Sequence, residues 1–130
     1  MARVTVVNDN PEFLALVRDI LEGDRYDTTT IDGDRADALE QIRASRPDLL
    51  MIDLRMGSAE LHGWGIAQQI RADPDFDGMP ILICSADAQA VRDLEQDMAA
   101  TQQVSSLLKP FGIDALIRAI DGLIATSPAR

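Results

Sequence analysis

Short apolar runs alternate along this chain with longer stretches in which apolar residues recur every three or four positions, and the alternation happens five times. The runs predict strands at 3–7, 26–31, 48–53, 80–85 and 104–108; the stretches predict helices at 11–22, 34–45, 63–72, 87–99 and 112–125. Phe13, Leu16, Val17, Ile20 and Leu21 share one face of the first helix, and Ile113, Leu116, Ile117, Ile120 and Ile124 share one face of the last. Both stripes call for apolar cover. The boundaries carry their own chemistry. Asn10 is a good N-cap with Pro11 at the first helical position, while Asp34 precedes the second helix, whose Asp37 suits a positive helix end. Gly23-Asp24, Pro47 and Asp73-Pro74 then stop the first three helices.

The runs Leu49 to Ile52 and Ile81 to Cys84 are continuous rather than alternating, as in parallel strands covered on both faces. Right-handed crossovers between such strands give an α/β fold: a flavodoxin-like, doubly wound (βα)5 three-layer sandwich with a five-stranded parallel sheet. The chain is expected to be one domain over 1–125 with a C-terminal tail at 126–130, without repeats, linkers or an output domain.

Composition narrows the classes. With 46% apolar and 26% charged residues, 130 residues can form a real core that buries roughly two-thirds of the unfolded surface. No apolar run approaches the ~20 residues of a membrane span. Arg3 and Asn8-Asp9 come too early for a signal peptide, so the expected compartment is the cytoplasm. The single cysteine, Cys84, rules out an internal disulfide framework. Twenty-two acids against twelve bases leave a formal charge of −10, which repels nucleic acid and favours a protein partner with a basic or apolar face.

Chemistry gathers at the strand ends. The first strand runs into Asn8-Asp9, the third into Asp53, the fourth into Ser85 and the fifth into Lys109-Pro110. In a parallel sheet these carboxyl ends share one crevice. Asp53 is the candidate nucleophile for a phosphoryl group. Asp9 and Asp53 are oxygen ligands suited to Mg2+, which takes one or two carboxylates plus phosphate and water, and the backbone carbonyl of Arg55 can assist. Lys109 offers a point charge to a phosphoryl oxygen, and the Ser85 hydroxyl a hydrogen bond.

These residues give the chain its resemblance to a response-regulator receiver domain of two-component phosphorelay signalling. The likeness runs from Val4-Thr5-Val6-Val7-Asn8-Asp9-Asn10-Pro11 through Pro47 to Met56 and Ile83-Cys84-Ser85-Ala86 to Leu108-Lys109-Pro110-Phe111. It implies that Asp53 is the phosphoacceptor, Asp9 a direct Mg2+ ligand, Ser85 the switch hydroxyl and Lys109 the partner of the phosphoryl group, with a cis bond before Pro110. Three departures stand out. Asn8 replaces the first of two usual acids and would meet the metal through water; Ser106 replaces an aromatic three positions before the lysine; and the loop Gly57 to His62 is about two residues longer than usual, with Gly57 where proline is common.

Other residues have plainer readings. Cys84 is expected in the core, His62 in solvent and Trp64 against the first turn of its helix, while Asp87, Asp93, Glu95 and Asp97 make a solvated face. Arg55 and Asp87 carry a further expectation: a salt bridge between them would shield the phosphoryl group and slow hydrolysis. The expected function is that of a stand-alone receiver, not an enzyme beyond its own phosphorylation and dephosphorylation. It would take phosphate from a histidine kinase or histidine phosphotransfer protein and signal to a downstream protein partner. A homodimer through the fourth helix, last strand and fifth helix is also expected. Two alternatives remain: a pseudo-receiver acting as an interaction module, and an aspartyl-nucleophile phosphatase, which would want an acid where Arg55 stands.

Overall fold

A computed structural model describes residues 2–56 and 62–127. Its five strands are β1 (Arg3–Asn8), β2 (Asp27–Asp32), β3 (Leu49–Asp53), β4 (Ile81–Ser85) and β5 (Val104–Leu108). They form one parallel sheet in the order β2-β1-β3-β4-β5. That order is the flavodoxin-like doubly wound arrangement, and its reversal point lies between β1 and β3, where such sheets bind ligands. The inner strands β1, β3 and β4 hold the apolar runs; the outer ones carry Thr28, Thr29 and Thr30 in β2 and Ser105 and Ser106 in β5.

Helices cover both faces. On one lie α1 (Pro11–Gly23) and α6 (Ile113–Ala125), packed through Val17, Leu21, Leu116, Ile120 and Ile124 onto Val4, Val6, Leu49, Met51, Leu82 and Cys84. On the other lie α2 (Ala38–Ser45), α3 (His62–Ala72), α4 (Ala88–Asp93) and α5 (Glu95–Ala100), packed through Ile42, Trp64, Ile70, Leu94 and Met98 onto Val7, Leu50, Ile52, Ile81 and Ile83. Alternate residues of each inner strand thus feed opposite cores, which is why their sequences are mostly apolar, Thr5 apart, until the polar residues at the strand ends.

The expected strands and helices occur, with four differences. The second helix starts at Ala38, because Asp32 accepts the Asp34 N–H at 2.9 Å and folds 33–37 into turns. Asp37 accordingly lies outside that helix, and the hydrogen bond from Arg35 at 2.9 Å holds its carboxyl down to about 2. The fourth predicted helix is two short ones. The N–H of Leu94 is shared between the carbonyls of Ala90 and Val91, each at 3.2 Å, and the chain turns there without a Pro or Gly to signal it. The two helical stripes are wider than the contacts they make, leaving Leu16 57% and Ile113 59% exposed. Finally, His62 opens α3 instead of preceding it; the rest of the unusual loop, Gly57 to Leu61, lies outside the described residues.

Candidate functional site

Asp53 ends β3 beside the ends of β1 and β4, with Asp53 registered against Cys84 and Ile52 against Val7. Its carboxylate is held from three sides. Lys109 Nζ donates to Oδ2 at 2.9 Å, Asn8 Nδ2 donates to the same oxygen at 3.0 Å, and the backbone N–H of Arg55 donates to Oδ1 at 3.2 Å. Both members of the ion pair are mostly sequestered, with side chains 21% (Lys109) and 14% (Asp53) exposed. Oδ1 accepts one long bond and keeps a lone pair for a further partner.

Asn8 is buried at 3% exposure, and both ends of its amide are used. Its Oδ1 accepts the Asn10 N–H at 2.9 Å, so the other end must present the NH2 to Asp53. The sequence suggested only a link from Asn8 through water to a metal and did not foresee this direct bond to the carboxylate. An acid at this position would bring a second negative charge and no donor; the amide lets the site close around Asp53. Asn10 performs its expected capping, with Oδ1 accepting the N–H groups of Glu12 and Phe13 at 2.9 and 3.2 Å. Asp9, between them, is exposed at the tip of β1.

Ser85 is 2% exposed and its Oγ accepts the Asp87 N–H at 3.0 Å, so the hydroxyl keeps its own hydrogen to give. Asp87 is the N-cap of α4, where its carboxylate accepts the Ala90 N–H at 2.9 Å. The same carboxylate takes Arg55 Nε at 2.7 Å, the salt bridge expected from sequence. The Ala90 N–H and then the Arg55 guanidinium keep the Asp87 carboxyl below its ordinary range. Asp87 therefore leaves the group of merely solvated acids. The peptide bond between Lys109 and Pro110 is cis, and the Lys109 N–H donates to the Ser85 carbonyl at 2.7 Å.

Two neighbours of the site carry no motif. The ring of Phe13 lies under Lys109, with Nζ 4.2 Å from its centroid, although the sequence marks Phe13 only as part of a core stripe. Gly63 is packed so closely on β3 that a Cβ there would lie 1.6 Å from the Asp53 carbonyl oxygen, and its N–H donates to the Leu54 carbonyl at 3.0 Å. A glycine next to the long loop was the only available signal. His62 is half-buried, with Nε2 3.1 Å from the Gly33 carbonyl, and not simply solvated as expected.

The donor set fits Mg2+ by its chemistry. It consists of oxygens from two acids, an amide and backbone, with no imidazole or thiolate. Mg2+ takes one or two protein carboxylates and keeps much of its water, so a set of protein oxygens this small suits it. Cys84, buried as expected at 1% exposure, has its thiol pushed up to about 12 by desolvation and is no ligand.

Residues 4–121 match the response regulator receiver domain. The chain belongs to that family. This receiver is 29% identical over 127 residues to hybrid signal transduction histidine kinase D of Dictyostelium discoideum, a match spanning 98% of this chain and 8% of that protein. It is 32% identical over 118 residues to the DNA-binding response regulator MtrA of Mycolicibacterium smegmatis, spanning 90% of this chain and 49% of that one. The chain thus covers less than half the length of either relative. Its fold is shared with the receiver domain of sensor histidine kinase PA1611 from Pseudomonas aeruginosa, solved with a magnesium ion coordinated in the active site cleft, at TM-score 0.77 and 23% identity over 96% of this chain and 98% of that chain. Receivers are signalling modules of two-component systems that work with histidine kinases and downstream effectors, and are generally not enzymes. No described helix is long and apolar enough to cross a membrane.

Proposed function

We propose that this receiver, acting in the cytoplasm as one domain over 1–125 with a tail at 126–130, accepts a phosphoryl group on Asp53 from a histidine kinase or a histidine phosphotransfer protein. The reading is carried by the Asp53 carboxylate, held at the sheet rim by the Lys109 ammonium at 2.9 Å and the Asn8 amide at 3.0 Å. In the transfer, an Asp53 oxygen bonds to phosphorus while the N–P bond of the donor breaks; the imidazole leaves with that electron pair. Asp9, Asp53 and the backbone carbonyl of Arg55 would hold Mg2+, with Asn8 reaching it through water. Bound there, the ion offsets repulsion between the carboxylate and the phosphoryl oxygens. Lys109 then serves one phosphoryl oxygen as a charge, and Ser85 gives another its hydroxyl hydrogen. The added charge draws both inward and biases the face of α4, α5, β5 and α6, which would meet a downstream protein or a second copy of the chain.

The test is incubation with acetyl phosphate and Mg2+, read as a gel mobility shift. Wild type is expected to shift and Asp53→Asn to stay in place; a shift that persists in Asp53→Asn refutes the assignment. A wild type that neither binds Mg2+ nor takes label favours the interaction-module reading instead.

The Arg55–Asp87 salt bridge, at 2.7 Å, stands beside the phosphoacceptor and would obstruct water approaching its phosphoryl group. Both side chains are about one-third to one-half exposed (49% and 35%), so the pair contributes modestly. Arg55→Ala is expected to shorten the phosphoryl half-life about two- to five-fold, the scale of an exposed ion pair. An unchanged half-life removes the shielding role.

A further inference from the structure

The contacts around Asp53 close into a ring of five residues. Asn8 Nδ2 donates to Asp53 Oδ2 at 3.0 Å; Asn8 Oδ1 accepts the Asn10 N–H at 2.9 Å; Asn10 Oδ1 accepts the Phe13 N–H at 3.2 Å. The Phe13 ring then faces Lys109 Nζ at 4.2 Å, and Lys109 Nζ returns to Asp53 Oδ2 at 2.9 Å. Phe111, two residues beyond the lysine, meets Phe13 edge-on, with centroids 6.4 Å apart and planes at 75°. The edge-on contact is a favoured aromatic geometry and fixes the ring that the ammonium faces.

We propose that Phe13 is a positioning residue for Lys109. A lysine side chain is flexible, and an ammonium at the mouth of a cleft has many alternatives in water. The face of a phenyl ring attracts a cation through its quadrupole, and does so more strongly where water is partly excluded, as it is for this 21%-exposed side chain. The ring therefore confines the ammonium to the side of the cleft where it meets Asp53. The N-cap contributes by fixing the backbone from which the ring projects. This role rests on Asp53 being the phosphoacceptor. A purely structural Phe13, packed at the margin of the core formed by α1 and α6, would leave Lys109 unaffected by its loss.

Lys109 is the chain's single lysine, so side-chain amine and ε-methylene NMR signals in lysine-labelled protein belong to it alone. Wild type, Phe13→Tyr, Phe13→Leu and the unbranched, adaptable Phe13→Met are compared, each checked for folding by circular dichroism. In wild type and Phe13→Tyr the ε-methylene protons are expected upfield, shielded by the ring. In Phe13→Leu and Phe13→Met they move to the position of a free lysine, and the initial rate of labelling by acetyl phosphate falls about three-fold. Unmoved resonances, or a wild-type rate, in the folded aliphatic variants overturn the role. A wild type that takes no phosphoryl group overturns the functional reading instead, and the positioning role with it, whatever the resonances report about the contact.

Discussion

Gly63→Ala is expected to lower the melting temperature by roughly 10 °C, the largest stability loss of any single methyl added near the site. A Cβ at this position falls 1.6 Å from the Asp53 carbonyl oxygen, 2.8 Å from its carbonyl carbon and 3.2 Å from the Leu54 Cα. All three are backbone atoms, so no rotamer change relieves the clash. The start of α3 must move off β3, breaking the bond from the Gly63 N–H to the Leu54 carbonyl at 3.0 Å and loosening Trp64 and Ile66 in the core behind it. Overpacking of this kind costs about 3 kcal/mol, a large share of the roughly 5–15 kcal/mol that holds a domain together. The damage would reach the site too, since the strand end that loses its packing against α3 carries Asp53, the proposed phosphoacceptor. Thermal unfolding followed by circular dichroism measures the effect; a melting temperature equal to wild type would show that the helix start is free to shift.

Lys109→Ala is expected to slow phosphorylation of Asp53 by about 10²-fold, the scale on which a fixed donor matters at a charge-transferring centre. The ammonium lies 2.9 Å from Asp53 Oδ2 in a partly buried setting, where water screens it little. Without it, the carboxylate must meet an anionic phosphoryl group with one fewer positive charge. The fold itself should survive, because Asn8 still donates to Oδ2 and the Arg55 N–H to Oδ1. Lys109→Arg is expected to restore little, since a longer planar guanidinium cannot occupy the space of a compact ammonium between Asp53 and Phe13. Single-turnover labelling by acetyl phosphate reads both variants. Labelling of Lys109→Ala at the wild-type rate would remove the lysine from the chemistry.

The fold was legible because each inner strand is a run of apolar residues and each helix a periodic stripe, signals that survive translation into tertiary structure almost unchanged. β5 was placed to the residue, and most other boundaries fell within one or two. The failures have local causes. Asp32 captured the Asp34 N–H and delayed α2, and the shared hydrogen bond at Leu94 divided the fourth helix without any residue that breaks helices. Leu16 and Ile113 continue apolar stripes beyond what the sheet can cover. In the site, ionisable residues at strand ends announced themselves by type and position, and Asp53 and Lys109 meet as expected; the Arg55–Asp87 pair followed from the family resemblance. What the sequence concealed are contacts whose chemistry has no motif. An asparagine facing a carboxylate, a phenyl ring under an ammonium and a glycine against a carbonyl each look ordinary until the chain is folded.

The division at Leu94 leaves two helices of six residues each, Ala88–Asp93 and Glu95–Ala100, both far below the roughly 12–15 residues at which a helix sustains itself in water. They are upheld from outside, by Ala90, Val91, Leu94 and Met98 pressed into the core and, at one end, by the aspartate that Arg55 grips. Among the described α-helices, these two, next to the proposed phosphoacceptor, therefore have the least internal support. Small changes in how their first residue is anchored would travel along them as a hinged plate moves from its pin, while the long helices on the opposite face hold still.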